Sequence, residues 1–402
     1  EAAEVLDARG LHVLPGVIDP QVHFREPGLT HKEDLESGTR AALLGGVTSV
    51  LEMPNTLPPT ASLAALADKR ARAAGRVWCD IGFFGGATTE NAEDLAALEA
   101  APGCAGIKIF MGSSTGSLLV PDDASLLRVL RAGRRRVAVH AEDEDRLRER
   151  RPLALTGHPE THPVWRDEET AVRATRRLLT AAREAGRPVH VLHVTTAGEL
   201  PLLAAARDLA TFETLPQHLT FEAPGIYERL GTLAQMNPPI REARHRDALW
   251  EAVRSGLVDC LATDHAPHTL EEKARPYPES PSGMPGVQTL LPVLLDHVAR
   301  GRLSLERLVA LTSAGPARVW EIPGKGRLEP GFDADLVLVD LERRHTLTAG
   351  EMATRCGWTP FEGLEVTGWP VATILRGHVA MRDGEALGSP SGRVLYSSPT
   401  SS

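Results

Sequence analysis

The stretch GVIDPQVHFREPG, residues 16–28, is an apolar run that ends in a polar cluster. It is followed by KEDLESGTRAALLGG, an amphipathic helical segment closed by glycine. The same unit recurs along the chain. The runs VTSVLEMPN, VWCDIGFFGG, GIKIFMG, RVAVHAED, PVHVLHVTT, ATFETLPQ and DCLATDHAPH each end in polar residues or a turn. Between them lie helix-like segments such as SLAALADKRARAAG, DASLLRVLRAG, EETAVRATRRLLTAAREAG and REARHRDALWEAVRSG. Near-continuous apolar strands alternating with helices predict a parallel sheet covered on both faces. Eight such units predict an α/β fold of the (β/α)8 TIM-like barrel type, which typically takes ~250 residues. An open doubly wound sheet would want a glycine-rich phosphate loop after its first strand, and the sequence has none there.

After about residue 320 the texture changes. GRLEPGFDADLVLVDLERRHTLTAG and GWPVATILRGHVAMRDGEAL read as short strands with tight turns, and predict a small β-domain. The opening EAAEVLDARGLHVLPG reads as the end of a strand pair that joins it. The predicted division is residues 1–14 as a strand of the small β-domain, 15–322 as the barrel, and 323–402 as the rest of the small domain with a C-terminal tail.

The chain has 402 residues, 42% hydrophobic and 24% charged, ordinary for a globular protein with a sizeable core. A net charge of −9 argues against nucleic acid as the main partner, since phosphate binding needs a basic surface. No apolar run reaches transmembrane length and no signal peptide opens the sequence, so no membrane partner is expected. The four cysteines lack CxxC spacing, which argues against a disulfide framework or a cysteine–zinc site and makes the cytoplasm the expected setting.

In a barrel of this kind, function sits at the C-terminal ends of the strands. That rim carries Gln21 and His23 after the first run, Asn55 after the second and Lys108 on the fourth. His140, His193 and Asp264 come from the fifth, sixth and eighth, with His265 and His268 just beyond. A lone histidine is usually structural or solvated, and most of the fifteen are read so. His23, His140, His193 and Asp264 differ because four separate strands bring them to one mouth. Imidazoles and a carboxylate in convergence suit zinc or a similar divalent metal. Core packing alone would not place polar groups at each strand terminus.

The motifs DPQVHFREPGLTHKEDL, EMPNTLPPT, GIKIFMGSSTG, VHAEDE, LHVTTAGEL, MNPPIR and ATDHAPHT resemble the amidohydrolase superfamily, and within it the dihydroorotase family. The resemblance runs from Leu14 to about Asp383. It implies a distorted barrel flanked by a β-sandwich, and a centre of one or two zinc ions bridged by a lysine that carbon dioxide has converted to a carbamate. Lys108 matches that lysine, His140 and His193 match ligands of the more buried metal, and His23 and Asp264 match ligands of the other. Arg25, Asn55, Asn237 and His268 match the substrate side, with Asp264 as the catalytic acid and base. The implied activity is the reversible cyclisation of N-carbamoyl-L-aspartate to L-dihydroorotate in pyrimidine biosynthesis. The small-molecule substrate is then the principal partner. A homodimer or larger homo-oligomer, with association with aspartate transcarbamoylase as an option, follows from the same resemblance. Two alternatives are another cyclic amidase of the hydantoinase or allantoinase kind, and a non-catalytic subunit supporting aspartate transcarbamoylase.

Three positions have physical arguments of their own. An ammonium at Lys108 would be repelled by two cations, whereas a carbamate reverses its charge and supplies two oxygens. Arg25, two residues after His23, emerges on the same face and can grip a carboxylate through two hydrogen bonds. Gln21 stands where the family usually has the first histidine of a His-x-His pair. Its neutral amide is a poorer zinc ligand than imidazole, so the outer metal should be the weaker one. A branch of bacterial dihydroorotases resembles this chain in carrying QVHFREPG. The loops RPYPESPSGMPGVQ and MGSSTGSLLVPDD are expected to cover the site, the first offering backbone groups to the substrate ring.

Overall fold

The chain enters through β1 (His12–Pro15) and then lays down eight parallel strands in sequence order. These are β2 (Val17–Val22), β3 (Val47–Glu52), β4 (Asp80–Gly86), β5 (Cys104–Phe110), β6 (Val137–His140), β7 (Val189–Val191), β8 (Ala210–Thr214) and β9 (Cys260–Leu261). They are the eight runs read from the sequence. The computed structural model describes residues 5–114 and 118–397. Every residue of β2, β3, β4 and β5 is buried, as expected of strands with helices outside and side chains filling the barrel.

The helices start and stop where the sequence dictates. In the helix Leu35–Leu44, Asp34 accepts from the Ser37 amide at 2.8 Å while the Ser37 hydroxyl accepts from the Asp34 amide at 3.2 Å, a reciprocal cap. Gly38 on this helix faces Phe24, and an added Cβ would stand 2.3 Å from its ring. That close approach locks the segment that carries His23 and Arg25. The helix Glu168–Ala185 is capped by Asp167 and ends on Gly186 in the left-handed conformation.

The first and last barrel strands meet at a seam. The described residues join them through a bridge between Val22 and His265, with the His23 amide donating to the His265 carbonyl at 2.7 Å. Deeper in the seam Asp19 accepts from the Thr263 amide at 3.1 Å, from the Thr263 hydroxyl at 2.5 Å and from the Gln21 amide at 3.2 Å. Burial pushes the Asp19 carboxyl up to about 7 despite these donors.

Beside the barrel lies a five-stranded antiparallel sheet in the order β1, β10 (Leu336–Thr346), β11 (Glu365–Leu375), β12 (His378–Arg382), β13 (Glu385–Ala386). The N-terminal strand does pair with the C-terminal region, His12 opposite Val339. Sheet and barrel are joined by a buried cation. Lys325 reaches Asp80 of β4 at 2.6 Å, Asp335 at 2.5 Å and Asp333 at 2.9 Å, and Arg376 adds a second contact to Asp80 at 2.5 Å. Residues near the C-terminus return to the barrel, where the Leu395 amide donates to Ile81 and the Tyr396 hydroxyl to Trp320.

Candidate metal centre and active site

A narrow cleft opens at the C-terminal rim of the barrel. Gln21, His23, Arg25, Asn55, Lys108, His140, His193, Asn237 and Asp264 all line it. Parallel register accounts for much of this convergence. Phe110 stands opposite His140 and Lys108 opposite Ala138, so Lys108 and His140 project into the barrel at neighbouring levels. Three of these residues have left-handed backbones, namely Arg25 (φ 64°), His193 (φ 37°) and Asp264 (φ 47°). Such conformations are uncommon outside glycine, and here they turn side chains into the cleft just beyond the strand ends.

The proposed ligands form two pairs. His140 Nδ1 lies 3.1 Å from His193 Nε2, and His23 Nε2 lies 3.0 Å from Asp264 Oδ1. Two nitrogens bound to one tetrahedral zinc at ~2.0–2.1 Å would stand about 3.3 Å apart, so the first pair is already spaced for a shared ion. One ring of each pair, His140 and His23, is also held on its other nitrogen. His140 Nε2 contacts Glu142 Oε2 at 2.9 Å, and Glu142 is in turn paired with the buried Arg166. Burial alone would raise the Glu142 carboxyl, but Arg166 and His140 hold it down to about 2. A carboxylate behind a metal-facing imidazole fixes its orientation and raises its basicity. His23 Nδ1 meets Asn55 Oδ1 at 2.7 Å.

Lys108 is 1% exposed, and its amine lies 4.3 Å from the centre of the Phe110 ring, with no hydrogen bond to a described residue. Burial drives its pKa down to about 7, against the pull of Asp264 and Glu213. Gln21 donates from Nε2 to Asp264 Oδ1 at 3.0 Å, which leaves its buried Oε1 without a partner. A buried amine with no hydrogen bond to a described residue, an orphaned amide oxygen and two imidazole nitrogens at ligand spacing fit a divalent metal centre.

The substrate-side residues are held differently. The Arg25 side chain is 1% exposed, so it makes no surface ion pair with Glu26 or Asp34; Glu26 pairs instead with Arg76 at 2.8 Å. Arg25 Nε donates to the Pro267 carbonyl at 3.1 Å, which sets the plane of the guanidinium. Burial lowers its pKa to about 10, still cationic at neutral pH. His162 Nε2 faces both the Met236 carbonyl and Asn237 Oδ1 at 3.0 Å, so that nitrogen carries the proton and the Asn237 amide nitrogen is left for the cleft. His268 is not on the cleft wall; it stands one layer back, fully buried, with its Nε2 3.3 Å from Arg25.

Sequence reasoning expected the loops that carry Ser114, Ser282 and Gly283 over the site without singling out these residues, and it missed other participants. Phe110, Ser114, Ala266, Ser282 and Gly283 also line the cleft, the last two from the RPYPESPSGMPGVQ loop. Glu142 holds His140 on the wall, Arg166 holds Glu142, and Lys32 contacts His268 behind Arg25. Glu142 and Lys32 were visible inside the VHAEDE and THKEDL motifs, but their partners were not. The middle of the MGSSTGS loop, residues 115–117, lies outside the described residues. Within the barrel strands, His190 Nε2 lies 3.1 Å from Glu213 Oε2, with Cys260 Sγ 3.9 Å from each. Burial raises Glu213 to about 8 and keeps His190 neutral, so this set is a hydrogen-bonded polar layer inside the barrel.

Residues 12–380 match the amidohydrolase family, and the chain belongs to it. A dihydroorotase of Halobacterium salinarum is 40% identical over 95% of this chain and 89% of its own length. A dihydroorotase of Pyrococcus abyssi is 37% identical over 96% and 87%. An allantoinase of Rubrobacter xylanophilus is 38% identical over 98% and 89%. Among solved structures, an L-hydantoinase from Arthrobacter aurescens superposes with a TM-score of 0.93 at 31% identity, covering 98% of this chain and 91% of that one.

Proposed function

We propose that this protein is a dihydroorotase, interconverting N-carbamoyl-L-aspartate and L-dihydroorotate in pyrimidine biosynthesis. The carrying observation is a fully buried, planar-fixed guanidinium, Arg25, set beside the candidate metal ligands in a barrel whose relatives include many dihydroorotases. A hydantoin ring has no carboxylate for such a group to hold. His140 and His193 with a Lys108 carbamate would hold the inner of two zinc ions, and His23 and Asp264 the outer. The metal supplies Lewis acidity at the substrate carbonyl and acidifies water.

The chain's own residues do the rest. Arg25 and Asn55 hold the carboxylate, the Asn237 amide donates to the ring, and the Ser282–Gly283 backbone closes one wall. Asp264 Oδ1 is occupied by His23 and Gln21, while Oδ2 makes no hydrogen bond to a described residue. That oxygen takes a proton from the attacking water and passes it to the leaving ring nitrogen; synthesis reverses the path. The small-molecule substrate is the expected partner, with a homo-oligomer and an aspartate transcarbamoylase contact as further expectations. No helix among the described residues is long and apolar enough to cross a membrane.

Assay of dihydroorotate hydrolysis beside allantoin and hydantoin, with metal analysis of the same sample, tests this reading. Preference for allantoin would favour the second activity present among the relatives. Arg25→Met should lose most dihydroorotate turnover while keeping its metal, a deficit of about 2–5 kcal/mol in transition-state binding. Near wild-type efficiency would move the carboxylate to another site.

Gln21 sets a further expectation. With an amide in place of an imidazole, the outer ion should be lost first under mild chelation, and activity should follow it. Gln21→His should delay that loss if the ring can turn inward from beside Pro20, whose fixed φ limits the strand here. Occupancies from anomalous diffraction give the answer directly. Two equally resistant ions would show that the glutamine costs nothing.

A further inference from the structure

Two stretches of the cleft wall are joined by one side chain that no step above uses. Lys273 closes the short helix Leu270–Lys273 and is 0% exposed. Its amine nitrogen meets three backbone carbonyls, those of Gln235 at 2.9 Å, Pro281 at 2.9 Å and Gly283 at 3.1 Å. Ser282 and Gly283 belong to one stretch of the wall, and Asn237, two residues after Gln235, to the other. The junction has further stitches. The Gly283 amide donates to the Gln235 carbonyl at 2.9 Å, and the Gln235 side chain donates to the Ser280 carbonyl at 2.9 Å and accepts from the Ser280 hydroxyl at 2.5 Å.

A carbonyl only accepts, and an ammonium has three protons where a neutral amine has two. Three carbonyls around Lys273 are therefore all served only by the charged form. Their oxygens lie within 3.1 Å of a nitrogen on a fully buried side chain. A carbonyl in such a place costs free energy unless a donor answers it. The loop is anchored at both ends, Ser280 on Gln235 and the Met284 carbonyl on the Ala266 amide at 3.0 Å. Between these anchors Lys273 draws the Pro281 and Gly283 carbonyls inward. Without the ammonium they turn out to water, and only the Gly283 amide contact opposes the loss of Ser282 and Gly283 from the wall. A smaller shift is costly here, because Gly283 has φ +140° and an added Cβ would stand 2.5 Å from the Ala266 carbonyl. Asn237 does not share this dependence, since His162 Nε2 holds its Oδ1 and the Met236 carbonyl at 3.0 Å.

We propose that Lys273 is a positioning residue for substrate recognition: its ammonium ties the Ser282–Gly283 wall of the cleft to the segment that carries Asn237, and so sets the slot that receives the substrate ring. The inference rests on the dihydroorotase reading and deepens it. Lys273 itself does not line the cleft, so it acts through the backbone it holds. A lysine that only supported the fold would lower the fraction of active enzyme, and kcat would fall at unchanged KM.

The test compares wild type with Lys273→Met in L-dihydroorotate hydrolysis and in amide hydrogen exchange. The variant should raise KM by about 10- to 50-fold while kcat changes less than about threefold, the pattern of a contact made equally in ground and transition states. Exchange of the Gly283 amide should quicken by about tenfold or more. The Leu192 amide, bonded to Val139 inside the barrel, should keep its rate. An unchanged KM, a fall in kcat alone, or equal acceleration of both amides would each overturn the proposal. A further measurement needs no variant to fold. The chain has five lysines, Lys32, Lys69, Lys108, Lys273 and Lys325, so 15Nζ spectra of lysine-labelled wild type are sparse, and Lys273 is assigned by its Overhauser contacts to the Gly283 α-protons. Burial lowers its pKa to about 7, so at pH 6 it should appear as an ammonium whose protons exchange slowly with water. A neutral amine or a rapidly exchanging one would overturn the tie. A wild-type protein inert toward dihydroorotate would overturn the functional reading and the role in recognition with it. That result is separable from the others, because the exchange and 15N measurements do not depend on the reaction.

Discussion

Asp264→Asn should lower turnover by about two to four powers of ten while leaving the fold and much of the metal in place. The substitution keeps an oxygen where Asp264 Oδ1 now accepts from Gln21 Nε2 at 3.0 Å and contacts His23 Nε2 at 3.0 Å. What it removes is the negative charge and the second oxygen that can take up a proton. Pre-steady-state assay with parallel metal analysis separates the two roles. Unchanged turnover would take Asp264 out of the mechanism. Complete loss of metal would make it chiefly a ligand.

The second large effect lies far from the chemistry. Lys325→Met should destabilise the protein by about 3–5 kcal/mol, because removing one member of a buried charge cluster leaves its partners uncompensated. Asp80 and Asp335 are 2% and 5% exposed; Asp80 would keep the Arg376 guanidinium and the Arg393 amide, and Asp335 would keep the Arg376 amide but lose its close cation. Asp80 opens barrel strand β4 and Asp335 precedes β10, so the loss should loosen sheet and barrel from one another. A shift in the denaturation midpoint measures it. A loss below about 1 kcal/mol would place the cluster with ordinary surface ion pairs.

The barrel and its rim were legible because period and position carry the information. A polar residue at the end of an apolar parallel strand has few other places to point, and this alone gathers Gln21, His23, Lys108, His140 and Asp264. The supporting layer was not legible, because it is made of long-range pairs. Arg166 meets Glu142 across 24 residues and Lys32 meets His268 across 236. Sequence motifs named His268 but could not show that it stands behind Arg25. Nothing in the sequence brings Asp80 to Asp333 and Asp335, and only the fold sets Lys325 among them. Nothing in the sequence shows that Arg25 is buried; only the fold withdraws it from solvent.

The seam between β2 and β9 has a consequence for how the protein responds to change. A barrel is a ring of staves, and here the first and last staves touch at the Asp19–Thr263 contact and again at the lip, where His23 and Asp264 meet although 241 residues separate them in the chain. Whatever binds across that lip becomes the hoop. Tightening the hoop and filling the centre are then one equilibrium, linked in both directions. A substitution at Asp19 or Thr263 would weaken ligand binding without touching a ligand. By the same linkage, a chain that has loaded its centre is also one whose two barrel ends have been fastened.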